Sequence, residues 1–252
     1  MSRIKICFSY DYNDLMEIGC SINDLAGFGS FEISFQYVKE IENIDVEEIK
    51  QLILTHGIEV SVIRIKQDDA SSILRSIEVI ADFLVNTGAT MLVIWRPIEG
   101  KYFLIEKLFS VLVDYGITLS FMATSEDDLK RYERLSEKYG GNYKYVISTE
   151  IIGDEEALFD IIMEHIGDIG AIYASNIERN TMKRGIPIFD TRGVIDFKPL
   201  IKLLLELEYE GYLILEYEEK YKGEYLKDAR SLLEYMTSPT ISESFGDIYT
   251  AA

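Results

Sequence analysis

The stretch GVIDFKPLIKLLLELEYEGYLILEYE, residues 193–218, holds one complete helix-to-strand unit. Asp196 stands where a helix N-cap accepts backbone N–H groups, and Pro199 falls in the first turn, where its missing N–H does no harm. Apolar residues then recur at helical spacing, and Gly211 precedes the β-rich run YLILEY. A glycine at that junction supplies the left-handed residue with which many helices end. The same punctuation recurs upstream. Gly29, Gly57, Gly88, Gly116, Gly141 and Gly170 stand before SFEISF, IEVSVIRI, ATMLVIW, ITLSFMA, NYKYVIS and AIYAS, at intervals close to one strand plus one helix.

With the opening run Ile4–Phe8, this makes eight strands. Segments between them carry apolar residues at helical spacing, such as Val46, Ile49, Ile53 and then Ile73, Ile77, Ile80, Leu84. Helix starts are marked by Asp45, Ser125 and Asp154. Eight alternating units without a break in composition predict a single (β/α)8 TIM barrel over residues 1–236, with an open doubly wound sheet as the rival. Residues 237–252, TSPTISESFGDIYTAA, lack a periodic apolar face and read as a C-terminal tail, with Phe245 and Tyr249 able to dock it on the barrel or on a second subunit.

Across 252 residues, 25 Lys plus Arg face 44 Asp plus Glu, a net charge of −19. Nucleic-acid binding rests on clustered cations, and anionic bilayers repel such a surface, so neither partner is expected. Hydrophobic content of 48% with four prolines describes a chain that buries a large core. No apolar run reaches the roughly 18 residues of a membrane helix, and MSRIKICFSY enters a strand directly, which reads as cytoplasmic. Cys7 and Cys20 form no metal spacing.

Barrel chemistry gathers at the carboxyl ends of the strands. His56 and His165 fall in last helical turns, at the opposite end, and read as partners of helix dipoles. Strand 3 offers Arg64 and Lys66 to the functional end. Period-two alternation puts Glu216 and Glu218 on one face with Tyr212 and Ile214. Glu216 and Glu32, acids within apolar strands, are the candidate catalytic residues, since a buried carboxylate needs a partner. Candidate ligand-binding residues are Trp95, which could stack on a sugar or serve as wall, Arg96 and Arg179, anion clamps or partners of the glutamates, and Glu150, Asn176 and Glu218. The loop Ile177–Gly193 is long, and its basic cluster of Arg179, Lys183, Arg184 and Arg192 either attracts an anion or balances neighbouring acids.

From IYASN through FDTRGVIDFKPLIKLLLELEYEGYLILEYEE the chain resembles the closing part of the xylose isomerase-like barrels, the superfamily of sugar isomerases, epimerases and endonuclease IV-type enzymes. The resemblance rests on Gly193, Ile195, Asp196 and Phe197, then Tyr209, Gly211, Leu213, Leu215 and Glu216, with SFEISF and Glu32 similar to the family's second strand. It implies a divalent metal held by acids of strands 5, 6 and 8 and a strand-7 histidine. Here Met122, Ser148 and Tyr173 or Ala174 stand at the first three positions, so Glu216 is the only retained family ligand. No metal or other cofactor is therefore expected, with a rearranged acidic shell of Glu150, Asn176 or Glu218 as the alternative. The resulting expectation is a divergent barrel of carbohydrate metabolism that binds a small sugar, polyol or sugar acid. Two alternatives stand beside it, a metal-dependent sugar isomerase or epimerase and a non-catalytic homo-oligomeric barrel.

Overall fold

A computed structural model describes residues 4–18, 22–68, 70–95, 102–139 and 142–237. Arg96, Cys20, Gly141 and the tail with Phe245 and Tyr249 lie outside the described residues. Strands β1 (Lys5–Asp11), β2 (Ser30–Phe35), β3 (Val60–Ile65), β4 (Met91–Ile94), β5 (Thr118–Met122), β6 (Tyr143–Ser148), β7 (Ile169–Ala174) and β8 (Tyr212–Leu215) run parallel in chain order. β8 returns to β1 through Ile6 opposite Leu213 and Cys7 opposite Ile214, which closes the sheet and removes the open-sheet rival.

Around the barrel lie α1 (Tyr12–Ile18), α2 (Ile22–Ala26), α3 (Val38–Glu42), α4 (Val46–His56), α5 (Ala70–Arg75), α6 (Ile77–Thr87), α7 (Tyr102–Asp114), α8 (Glu126–Tyr139), α9 (Thr149–Ile152), α10 (Glu155–His165), α11 (Phe197–Glu206) and α12 (Tyr225–Thr237). The helix starts lie where the caps place them. Asp45 accepts from Glu47 N at 3.0 Å, Asp154 from Ala157 N at 2.8 Å, Asp196 from Lys198 N at 3.0 Å, and Ser125 Oγ from Asp128 N at 3.2 Å. Each satisfies a backbone donor that the first turn leaves without a helical partner.

Alternation along the strands separates two cores. Phe8, Ile33, Ile63, Leu92, Phe121, Ile172 and Leu213 join the shell packed under Leu84, Leu108, Leu158 and Leu200 of the helices. Cys7, Val62, Met91, Val93, Met122, Val146, Ala171, Tyr173, Tyr212 and Ile214 fill the barrel interior. Burial of each larger apolar side chain is worth about 1.5–3 kcal/mol, so both layers hold the ring closed.

The glycines divide into two kinds. Gly57, Gly88 and Gly116 are left-handed, with φ of 60°, 79° and 70°, as helix ends require. Gly29, Gly170 and Gly211 are not among the left-handed glycines, so the helix-end reading is corrected there. Gly170 lies inside β7 at a register shift opposite Tyr145 and Val146, where an added Cβ would stand 2.8 Å from Lys144 Cβ. At Gly211 an added Cβ would collide with the Tyr209 hydroxyl, and at Gly29 with the Ile6 carbonyl oxygen.

Candidate functional site

At the carboxyl ends of the strands the inward positions change from apolar to polar. Ser9 lies opposite Glu32, Asp11 opposite Ser34, and Ser34 opposite Arg64. Glu216 follows the inward pair Tyr212 and Ile214 by the same period of two, and its N–H donates to the Ala174 carbonyl at 3.2 Å. Glu216 thus lies on the inward face of β8, with Tyr212 and Ile214.

Arg64 is the centre of the mouth. It is 1% exposed, one residue before the carboxyl end of β3. Its Nη2 donates to Glu216 Oε1 at 2.6 Å and to Ser9 Oγ at 3.1 Å. Its Nε lies 3.0 Å from Glu32 Oε1, close enough for charge attraction but not aligned as a hydrogen bond, and Nη1 has no hydrogen-bond acceptor. The guanidinium carbon stands 4.4 Å from the centre of the Trp95 ring and 4.7 Å from that of Tyr173, so its charge lies against both aromatic rings. Glu32 is fully buried and accepts from Ser9 Oγ at 2.8 Å and from the Tyr173 hydroxyl. A buried charge is tolerated only when paired and hydrogen-bonded, and this cluster meets that condition except at Nε, which is paired but not hydrogen-bonded, and at Nη1.

The titration behaviour follows from burial and mutual charge. Burial pushes the Glu32 carboxyl above the usual carboxylate range against the pull of Arg64. Burial opposes the charge of Arg64, but Glu216 and Glu32 outweigh it and hold the guanidinium protonated beyond its ordinary range. Burial raises Tyr173 well above an ordinary phenol, and the Glu32 charge adds to this. A second pair, Lys66 Nζ to Asp11 Oδ1 at 2.6 Å, lies beside the first. Burial of Asp11 works to raise its pKa, but hydrogen bonds from Lys66 and Ser34 outweigh that and hold it below the ordinary value.

Glu150, in α9, is half-buried at the same end. It accepts from Ser175 Oγ at 2.9 Å and from Gly185 N at 3.0 Å, and burial together with the nearby Glu216 charge raises its pKa. Trp95 is half-buried and packs edge-on against Tyr173, with ring centres 4.6 Å apart.

Other expected site residues stand elsewhere. Asn176 is fully buried, and its amide is used by its own loop: Nδ2 donates to Ile195 O at 2.8 Å, while Oδ1 accepts from Ile177 N at 2.9 Å and Ile195 N at 3.0 Å. It therefore anchors the loop instead of facing a ligand. Arg179 is exposed and donates to Gly193 O at 2.9 Å. Glu218 is exposed and paired with Lys220 at 2.5 Å, which lowers its pKa, so it belongs to the outer loop and not to a carboxylate pair with Glu216. Arg192 pairs with Asp190 at 2.6 Å and Glu178 at 2.8 Å, two acids of its own loop. His56 meets Asn23 at 2.7 Å and His165 lies 3.3 Å from Glu133, each at the end of its helix.

The sequence reading placed Arg64 at this end without giving it a role. The signal was available: an arginine in VSVIRI is a buried charge, and Glu32 and Glu216 are the buried or half-buried acids that answer it.

The metal that the resemblance implies does not fit these residues. Met122 is inner core, Ser148 is buried, and Tyr173 donates its hydroxyl to Glu32. Glu216, the remaining acid, is bound by Arg64 at 2.6 Å. Among the described residues no three His, Cys, Asp or Glu side chains converge on one point. Nor is any helix among them long and apolar enough to cross a membrane.

No protein-family model matches the chain, and no curated protein matches it in sequence. Solved structures do match in fold. A sugar phosphate isomerase/epimerase from Parabacteroides distasonis superposes with a TM-score of 0.64 at 12% identity, covering 92% of this chain and 94% of that one. A xylose isomerase domain protein from Planctomyces limnophilus gives 0.64 at 14%, covering 96% and 98%. Endonuclease IV from Thermus thermophilus gives 0.58 at 12%, covering 91% and 99%. This chain shares with these proteins the fold of a single closed (β/α)8 barrel.

Proposed function

We propose that the protein binds a small sugar, polyol or sugar acid at the carboxyl-end mouth of its barrel, in a site whose positive charge is Arg64 and not a divalent ion. The observation that carries this reading is the 2.6 Å bond from Arg64 to Glu216, which gives the one retained acid of the family metal set a permanent internal counter-ion. Glu216, 24% exposed, offers a carboxylate to ligand hydroxyls, and the half-buried Trp95 ring offers an apolar face to a sugar. The fold shared with a sugar phosphate isomerase/epimerase and a xylose isomerase domain protein supports a carbohydrate-like ligand.

No imidazole serves proton transfer here, since both histidines stand at the other end. Glu150, with its raised pKa, holds a proton at a higher pH than an ordinary carboxyl, beside a Glu216 whose charge is balanced by Arg64. Two carboxyls in unequal surroundings are the arrangement from which acid and base roles arise.

A thermal-shift panel of pentoses, hexoses, polyols and their acids, run on wild type, Glu216→Gln and Trp95→Ala, tests the reading. Stabilisation of wild type by at least one compound and its loss in both variants are expected. A panel without any hit overturns the ligand class. Elemental analysis that finds stoichiometric manganese, magnesium or zinc in wild type, absent from Glu216→Gln, overturns the metal-free site.

A further inference from the structure

Two carboxylates that converge on one buried cation form a cation seat, whatever the cation. Around Arg64 the oxygens are Glu216 Oε1 at 2.6 Å from Nη2, Ser9 Oγ at 3.1 Å from Nη2, and Glu32 Oε1 at 3.0 Å from Nε. Two of them are held by groups other than Arg64: Ser9 Oγ donates to Glu32 at 2.8 Å, and the Tyr173 hydroxyl donates to the second Glu32 oxygen. The Glu32–Ser9 side of the cage is therefore held when the guanidinium is taken away, and Glu216 stays tethered to the end of β8 by its backbone bond to Ala174. The guanidinium fills it imperfectly, since Nη1 is buried without an acceptor and Nε is misaligned with its carboxylate. Carboxylate and hydroxyl oxygens are hard donors, suited to a small hard cation more than to a delocalised one.

We propose that the space between Glu32 and Glu216 is a cation site that the protein fills with its own Arg64, so that removing the guanidinium opens it to a divalent metal or to a free guanidinium ion. The inference shares with the functional reading only the Arg64–Glu216 contact and needs no sugar to bind. It assigns Arg64 as a positioning residue that holds the Glu216 side chain in a fixed orientation, and it explains how a barrel of this fold keeps its mouth ordered with a single acid of the family metal set.

The test uses the full chain with Arg64→Ala, Arg64→Ala/Glu216→Gln and the charge-keeping Arg64→Lys. Each is titrated with Mn2+, read by electron paramagnetic resonance, and melted with and without Mn2+ or millimolar guanidinium. Arg64→Ala should bind one Mn2+ at least about tenfold more tightly than wild type and gain roughly 5 °C at saturation. Guanidinium should displace that Mn2+, and the double variant should lose both effects. If Arg64→Ala does not fold alone, recovery of its melting transition on adding Mn2+ or guanidinium supports the proposal, and failure of both to recover it overturns it. A folded Arg64→Ala without Mn2+ binding overturns it, as does Mn2+ binding of equal strength in wild type or in Arg64→Lys. A barren sugar panel would leave these outcomes unchanged, so the two readings fail separately.

Discussion

Replacing Arg64 by methionine keeps much of the side-chain length, removes the charge, and leaves Glu32 and Glu216 facing each other. Both carboxylates lose a partner at 3.0 and 2.6 Å, and Glu32 is fully buried. Breaking a buried ion pair from one side costs about 3–5 kcal/mol, because an uncompensated charge remains. At roughly 2–4 °C per kcal/mol for a chain of this size, the melting temperature at pH 8 should fall by about 6–20 °C.

The loss should depend on pH with a definite sign. Burial already raises the folded Glu32 pKa, and Arg64 is the chief influence that lowers it, so the methionine variant raises it further. A carboxyl whose folded pKa lies above its unfolded value, about 4.3, binds more protons when folded, and stability then falls as pH climbs from the unfolded value through the folded one. The variant should therefore be penalised less at pH 5 than at pH 8. Urea denaturation of both proteins at the two pH values measures this. A loss under about 1 kcal/mol at pH 8, or the same loss at both, would refute the reasoning that Arg64 is a counter-ion to buried acids.

Asn176→Leu removes a buried amide that ties the loop 177–193 together, so a destabilisation of about 2–4 kcal/mol and faster proteolysis within that loop are expected, measured by urea melts and limited trypsin digestion. Gly211→Ala drives a Cβ toward Tyr209 and the Gly170 carbonyl, and thermal denaturation should record a loss of about 1–3 kcal/mol, with a neutral result counting against the close packing of β7 and β8. Asp154→Ala deletes the α10 cap and should cost about 0.5–2 kcal/mol by the same assay, with ligand affinity unchanged. Glu216→Gln leaves Glu32 in place beside Arg64, so its stability change should stay within about 1–2 kcal/mol while the sugar response in the thermal-shift panel disappears.

The parts of this fold that depend on near neighbours in sequence were readable from it. Asp45, Asp154 and Asp196 cap the helices they precede because a cap is settled within three residues. Glu216 faces inward because alternation along YLILEY leaves it on the side of Tyr212 and Ile214. Gly170 was misread because one glycine serves a left-handed turn or a bulge, and only the neighbouring Lys144 distinguishes them.

Asn176 was read as a site residue because polarity at a strand end does not reveal which way an amide turns, and here it turns to Ile177 and Ile195. The Arg64–Glu216 bond joins residues 152 apart in the chain. It depends on closure of the ring and on the register shift near Phe31 and Glu32, which aligns Glu32 with Val62 and Ser34 with Arg64. No local pattern carries that information.

Calorimetric titration of wild type with the best compound from the sugar panel, in excess chelator and again in excess Mn2+, addresses the central claim most directly. Equal affinity in both buffers is predicted, because Arg64 already supplies the charge between Glu32 and Glu216. Heat of binding that appears only when Mn2+ is present would contradict it.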